Sequence, residues 1–133
     1  MVLPAQVTPT AWTLEMIEAM RPSVEASPWG GLAVPREALH GSHLFTFTDG
    51  GQRALVALRP VVFGRGTRLD VVGLVSQGDR LHGAEFDEAL MGTARCFGAS
   101  VLAMTTAREH IERQCLRQGW ERTGSVMTKA IHV

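Results

Sequence analysis

The side chains best suited to acid–base chemistry in this sequence are its histidines. A histidine can take up a proton near neutral pH, because its ordinary pKa is about 6.5. His82 lies in a Gly-containing loop and His110 on a predicted helix, whereas His40 and His43 flank a Gly-Ser pair before a predicted hairpin. Each is either a general base or a solvated surface residue, and spacing alone does not separate these interpretations.

The two cysteines, Cys96 and Cys115, lie on predicted helices and lack the close spacing of metal ligands. This arrangement favours reduced structural thiols in a cytoplasmic protein. The sequence also lacks a Walker A phosphate loop, an HExxH zinc motif and a GxSxG nucleophile motif. The chemistries that depend on those motifs are therefore set aside.

The charge balance of the chain argues against a nucleic-acid partner. Lys plus Arg and Asp plus Glu each number 13, so the formal net charge is zero, whereas binding phosphates normally requires a basic surplus. The N-terminus does not read as a signal peptide, and no apolar stretch approaches the roughly 20 residues that cross a bilayer. We expect one cytoplasmic domain over residues 1–133, with no nucleic-acid or membrane partner.

The first half of the chain predicts a helix followed by strands. Helical spacing of apolar residues favours a helix over 13–26, in which Pro22 would cause a split or a kink. An Asp-Gly-Gly turn predicts a hairpin between strands 43–48 and 52–59. A further strand over 68–76 is apolar enough to be central in a sheet.

The second half alternates helices and strands. Helices are predicted over 84–97 and 107–118, each followed by a glycine suited to a helix end. A short strand over 101–104 separates them, and one or two closing strands are predicted over 121–131. The inward faces of this region are expected to bury seven residues: Phe86, Leu90, Phe97, Val101, Ala103, Ile111 and Leu116.

The order of elements predicts where a ligand would bind. Strands 68–76 and 101–104, joined by a helix, form a parallel βαβ unit, and the preceding hairpin makes the sheet mixed. Ligands of such sheets bind at the carboxyl ends of the strands. This points to the connection over 76–85 and to the edge at 105–107.

The C-terminal third resembles the end of an acyltransferase domain. The segment REHIERQCLRQGW over 108–120 is similar to the pattern N-x-x-A-x-x-L-Y-x-K-x-G-F of the GNAT superfamily. Arg117 occupies its basic position, and Gly119 and Trp120 occupy its Gly-aromatic end. The resemblance covers roughly 43–131 in element order. It implies an α/β (α+β) fold, in which helices flank a central, mixed, twisted sheet.

The resemblance implies acetyl-CoA as the cofactor, and an amine on a small molecule or protein as the acceptor that attacks the thioester directly. Arg80, Gly83 and Ala84 would hold the pyrophosphate at a helix N-terminus, unless they form an ordinary surface loop. A strand-end N–H near Val75 would stabilise the oxyanion. Thr106 would contact the cofactor or cap the next helix.

Several residues depart from the family pattern or extend it. Glu85 replaces the last small residue of the phosphate-binding signature, and Asp87 and Glu88 add carboxylates that oppose an incoming pyrophosphate. In an active enzyme we expect Glu85 to turn outward. Cys115 occupies the place of a tyrosine that many members use to protonate the leaving thiolate, and it either donates a proton or packs. His43 lies in the region that often borders the acceptor site and is the candidate base.

Two classes of function follow from the resemblance. The first is an active N-acyltransferase. The alternative is a catalytically degenerate GNAT-like domain that acts as a binding or assembly protein, and the chain also resembles small GNAT-like proteins of tailed phages. The absence of any tyrosine favours the alternative, and the resemblance itself favours the enzyme. A homodimer is left open.

Overall fold

The computed structural model describes residues 4–78 and 83–131. Within these residues the elements are β1 Gln6–Thr10, α1 Leu14–Ala19, α2 Arg21–Glu25, a 3₁₀ turn Gly30–Leu32, α3 Pro35–Ala38, β2 His43–Asp49, β3 Gln52–Phe63, β4 Gly66–Gly78, α4 Gly83–Cys96, β5 Val101–Met104 and α5 Glu109–Arg117.

The five strands form one mixed sheet in the order β1-β2-β3-β4-β5. The first four pair antiparallel, and β4 pairs with β5 in parallel. The hairpin turn between β2 and β3 contains Gly50 at a positive φ of 62°, a conformation that glycine adopts without steric cost. The predicted mixed sheet and the parallel pairing across α4 are therefore confirmed.

Helices cover both faces of the sheet. Because strand side chains alternate, Leu55 and Ala57 of β3 face the cluster under α1–α3, while Val56 and Leu58 face the cluster under α4. All four are buried. This double burial explains why β3 has a continuous apolar run and places it at the centre of the fold.

The helical region predicted over 13–26 is two helices. Thr13 begins α1, and its hydroxyl oxygen accepts the N–H of Met16 at 3.1 Å. Pro22 lies in the first turn of α2, where the missing N–H has no helical partner in any case. The predicted effect of Pro22 is thus a break between α1 and α2.

The strands are longer than predicted on both sides of the second hairpin. Phe63 of β3 pairs with Gly66 of β4, so most of the interval 60–67 between the predicted strands 52–59 and 68–76 belongs to the sheet. At the N-terminus, the residues of β1 pair with β2. These extensions follow from backbone pairing, which apolar periodicity does not report.

The C-terminal prediction is wrong. Residues 121–131 form no strand, and Met127 is 88% exposed. As a result, nothing in the described part of the chain pairs with the outer edge of β5, and Val101 is 57% exposed instead of buried. Leu116 is 39% exposed, also against expectation.

The other expected core positions are closer to prediction. Leu90 is fully buried under α4. Phe86 and Phe97 are partly buried against the same cluster, and Ala103 and Ile111 are intermediate. Over the described ranges, no helix is both long and apolar enough to cross a membrane.

Candidate functional site

The two parallel strands part halfway along β4. Pairing with β5 covers only Arg68 to Val71 of β4, although β4 continues to Gly78. The register between β3 and β4 shifts beside this point, leaving Val72 without a partner in β3. Such a bulge bends a strand. The second half of β4 therefore has an open backbone edge.

One backbone group of this open edge is held by a side chain. The N–H of Leu74 donates to the hydroxyl of Ser23 on α2 at 2.9 Å. Successive backbone groups of a strand point to opposite edges, so the N–H of Val75 is directed at β3 and that of Ser76 at the open edge. Near Val75, where the oxyanion contact was predicted, the backbone N–H groups on the open edge are therefore those of Leu74 and Ser76.

A cavity of about 230 Å³ lies between the open half of β4 and α5, and we call it the α5 cavity. Its lining includes Leu74, Val75, Gly83, Asp87, Cys115 and Trp120. A second cavity of about 610 Å³ lies towards α2, and we call it the α2 cavity. Its lining includes Ser23, Trp29, Arg59, Asp70, Thr106 and Glu121.

The two cavities adjoin where the strands part. They share four lining residues: Leu74, Met104, Arg108 and Trp120. The two cavities therefore meet at these residues, beside the point where β4 and β5 part. This arrangement suits a reaction between two substrates that enter separately.

The start of α4 forms one end of the α5 cavity. Gly83 lines it, and a Cβ added at Gly83 would lie 2.7 Å from the side-chain amide of Gln114 and 2.9 Å from that of Gln118. Free N–H groups at a helix start attract anions. Gly83 thus lies where the predicted phosphate contact requires a small residue.

The carboxylate at this end of the cavity is Asp87 rather than Glu85. Asp87 lines the cavity and accepts a hydrogen bond from the indole N–H of Trp120 at 2.9 Å. Glu85 is not among the lining residues, and its carbonyl oxygen accepts the N–H of Ala5 at 3.2 Å. One oxygen of its carboxylate is buried without a partner in the described ranges. The side chain of Glu85 therefore points away from the α5 cavity, and its carboxylate is partly buried by other residues of the protein.

Cys115 lies on the cavity-facing side of α5 and is half-buried. Burial raises the pKa of its thiol, and the charges of Asp87 and Glu112 raise it further. The thiol consequently stays protonated at neutral pH. Such a group can donate a proton, but it is a poor nucleophile.

The structure brings Val75, Gly83 and Cys115 together around the α5 cavity. Thr106 lines the α2 cavity, and its hydroxyl oxygen accepts the N–H of Arg108 at 3.1 Å. Because Arg108 is itself the N-cap of α5 and no side chain caps that helix, Thr106 does not cap it. Ala84 follows Gly83 at the start of α4 but lines neither cavity. The predicted contact from Arg80, and His82 beside it, lie outside the described residues.

His43 lines neither cavity. It is exposed, and its ring centroid lies 5.4 Å from that of Phe97 beyond the C-terminal end of α4. The α5 cavity lies at the other end of α4, which has 14 residues and so spans about 21 Å. The structure does not bring His43 to the site, because β3 separates its strand from β4.

Arg108 and Trp120 are the main site residues that sequence reasoning missed. Arg108 lines both cavities, and burial lowers its pKa. Its Nε atom is buried and has no hydrogen-bond partner among the described residues. The signal was present in the motif, since these two residues begin and end the segment 108–120. Ser23 had no signal, because it contacts a residue 51 positions away.

No protein-family model matches the sequence, and no curated protein matches it. Solved structures are nevertheless similar in fold. Wild-type TTHA1254 from Thermus thermophilus is 14% identical, covers 95% of this chain and 96% of its own, and has a TM-score of 0.54. A mutant form of that protein gives a TM-score of 0.56 at 14% identity, with coverage of 96% and 98%.

A structure described as a probable acetyltransferase is 11% identical, covers 96% of this chain and 98% of its own, and has a TM-score of 0.55. At such identities the likeness concerns the fold. The chain has a mixed five-stranded α+β fold, consistent with the GNAT-like fold that the sequence resembles. In the part of the chain that the structure describes, no group of three or more His, Cys, Asp or Glu side chains could hold a metal ion.

Proposed function

We propose that the protein is a GNAT-like N-acyltransferase that moves an acetyl or related acyl group from CoA to an amine. The observation that carries this proposal is the gap between β4 and β5, where the α5 and α2 cavities adjoin. The similarity in fold to a probable acetyltransferase supports it. The donor would occupy the α5 cavity and the acceptor the α2 cavity.

The lining of the α5 cavity offers partners for the pyrophosphate and for the pantetheine arm of an acyl-CoA. The pyrophosphate would lie at the start of α4, near the backbone of Gly83 and Ala84, with the predicted contact from Arg80. The amides of Gln114 and Gln118 approach the same point and can donate to phosphate oxygens. The pantetheine arm would run along the open edge of β4, where its amides can pair with strand backbone.

The thioester end would lie at the gap between the strands. The N–H of Leu74 and the hydroxyl of Ser23 are already hydrogen-bonded to each other at 2.9 Å. Reorientation of the Ser23 hydroxyl would leave two donors for the carbonyl oxygen as it gains charge. Held in this way, the carbonyl carbon faces an amine that comes through the α2 cavity.

Acyl transfer then needs one proton on the departing sulfur. The amine nitrogen bonds to the carbonyl carbon, the carbon–sulfur bond breaks, and the CoA thiolate takes a proton. Cys115 can supply that proton, because its raised pKa keeps it a thiol at neutral pH. The attacking nitrogen, positively charged once it has bonded to the carbonyl carbon, loses its proton to water to give the neutral amide, and the thiolate left on Cys115 takes a proton back from water.

A degenerate domain that binds or assembles without catalysis is the second candidate. The observation in its favour is Asp87, whose carboxylate lines the cavity near the start of α4. A negative charge there opposes pyrophosphate binding, although the indole of Trp120 holds this carboxylate. The two candidates differ in whether acyl-CoA is bound in the α5 cavity and turned over there.

Titration calorimetry with acetyl-CoA, followed by a CoA-release assay with a panel of amines, tests the proposal. We expect saturable binding, a matching rise in Tm, and CoA release that requires an amine. Binding without release for any amine would favour the degenerate domain. No binding at millimolar acetyl-CoA, together with no release, would overturn the acyltransferase proposal.

A further inference from the structure

Three arginines line the α2 cavity, and they differ in how their guanidinium groups are satisfied. Arg59 donates to the backbone carbonyls of Ala38 at 3.2 Å and His40 at 3.1 Å. Arg68 pairs with Asp70 through two bonds of 2.5 and 2.9 Å. Arg108 has no side-chain hydrogen bond or ion pair among the described residues, and its Nε is buried.

A half-buried cation without an acceptor is costly, because burial removes water without replacing its hydrogen bonds. The cost at Arg108 is visible in its lowered pKa. A planar anion with two oxygens would satisfy the guanidinium fork. The cavity that Arg108 faces is large enough to admit one, at about 610 Å³.

The nearby carboxylates within the described ranges do not take this role. Asp70 is engaged by Arg68, and Asp87 accepts from the indole of Trp120. Glu121 also lines the α2 cavity, but it is exposed and makes no ion pair with Arg108. Among the described residues, none accepts a hydrogen bond from the Arg108 side chain, which leaves its guanidinium open to a bound molecule.

We propose that Arg108 binds a carboxylate group of a substrate, close to the carbonyl that is transferred. This inference rests on the proposed acyl transfer and gives it a substrate class. The carboxylate has two sources: an amino-acid acceptor in the α2 cavity, or an acyl chain that ends in a carboxylate in the α5 cavity. Both bring the same group to Arg108, because this residue lines both cavities.

A phosphate of CoA is a poorer match for this position. In the proposed arrangement the phosphates lie near Gly83, at the start of α4. Arg108 lies instead with Leu74 and Met104, where β4 and β5 part. This is the thioester end of the cavity, so an anion bound here belongs to the acyl group or to the acceptor.

Activity measurements on wild type and on Arg108→Gln separate the sources. Amino acids are compared with their amides using acetyl-CoA, and succinyl-CoA is compared with acetyl-CoA using one amide acceptor. We expect kcat/KM to favour the carboxylate-bearing partner in one of these comparisons by at least about tenfold, which is the effect of one charge-assisted hydrogen bond. Arg108→Gln should remove this preference. Arg113→Gln is the matched control, since Arg113 is exposed on α5 and lines neither cavity.

Direct binding tests the site without relying on turnover. N-acetylglycine and succinate are titrated calorimetrically, with N-acetylglycinamide and succinamide as neutral probes. We expect at least about tenfold weaker binding of the matching neutral probe, and the same loss when Arg108→Gln is titrated with the acid. Arg108→Lys should restore binding only in part, because an ammonium lacks the two-pronged geometry.

The outcomes separate a failure of the carboxylate site from a failure of the proposed acyltransferase function. No acyl transfer with any pair, but acid binding that depends on Arg108, would overturn the acyltransferase and keep the carboxylate site. Acyl transfer with no preference for a carboxylate, unchanged in Arg108→Gln, would overturn the site and keep the enzyme. A loss of CoA affinity in Arg108→Gln without any carboxylate dependence would also overturn the site, because it would assign Arg108 to a phosphate. If neither acyl transfer nor acid binding is detected, both the carboxylate site and the acyltransferase are overturned.

Discussion

The helices α4 and α5 both carry apolar residues at helical spacing, but they use them differently. α4 buries Ala89, Leu90, Thr93 and Ala94 against the sheet. α5 buries no residue, and its Ile111 and Cys115 face a cavity of about 230 Å³. An apolar helix face therefore indicates which side points inward, but it does not indicate whether the space beneath is filled.

The largest effect on stability is expected at α4, whose apolar face is packed against the sheet. Leu90→Ala removes a fully buried side chain under α4, and we expect a loss of about 2–5 kcal/mol in the free energy of unfolding. Chemical denaturation measures it, with Met91→Ala as the control because Met91 is exposed on the same helix. A loss for Leu90→Ala below roughly 0.5 kcal/mol would contradict the placement.

The next effect concerns catalysis on the cavity side. Cys115→Ala removes the proposed proton donor, and we expect kcat to fall by about 100-fold, at the lower end for general acids. Because the pKa of this thiol is raised, wild-type kcat should decline only when pH exceeds the ordinary cysteine range of about 8.5. Cys96→Ala is the control, since Cys96 is exposed and lines neither cavity. Equal kcat values for the two variants would rule out the role of Cys115.

Close packing on the α2 side can be tested with a single methyl group. A Cβ at Gly73 would lie 2.8 Å from the sulfur of Met20, 3.2 Å from Leu39 and 3.3 Å from Ala57. We expect Gly73→Ala to cost about 1–3 kcal/mol in thermal or chemical unfolding. Gly92→Ala is the opposite case, because Gly92 lies within α4 with no atom within 4 Å of the added Cβ. That variant should be neutral or more stable by up to about 1 kcal/mol.

The smallest effect should come from α5. Leu116 is 39% exposed, so Leu116→Ala should cost less than about 1 kcal/mol in the free energy of unfolding, as at a surface position. A loss as large as that of Leu90→Ala would show that α5 packs as tightly as α4. The comparison between the two helices would then have to be abandoned.

Much of the fold was predictable because its signals are local. The turn at Gly50 and the buried face around Leu90 follow from residue type and spacing over a few positions. Residues 121–131 were predicted to form one or two strands, but no local pattern supplies a partner strand, and the exposure of Val101 follows from the missing strand.

The site was predicted only in part, for reasons of tertiary structure. Gly83 and Cys115 line the cavity, at positions that the resemblance in sequence had indicated. Glu85 and Asp87 are two residues apart on one helix, so they point to different sides, and only packing decides which of them meets the cavity. The distance of His43 depends on strand order, which no local pattern reports.

The outer edge of β5, which no described residue pairs with, bears on how the protein behaves in concentrated solution. An open strand edge is a template for adding strands from other molecules, and its short length of four residues limits this. Charge repulsion, which also keeps molecules apart, is weak here because the formal net charge is zero at pH 7. We expect solubility to be lowest near neutral pH and to improve when the pH is moved away from it in either direction. Light scattering across a pH series at fixed concentration would measure this colloidal behaviour.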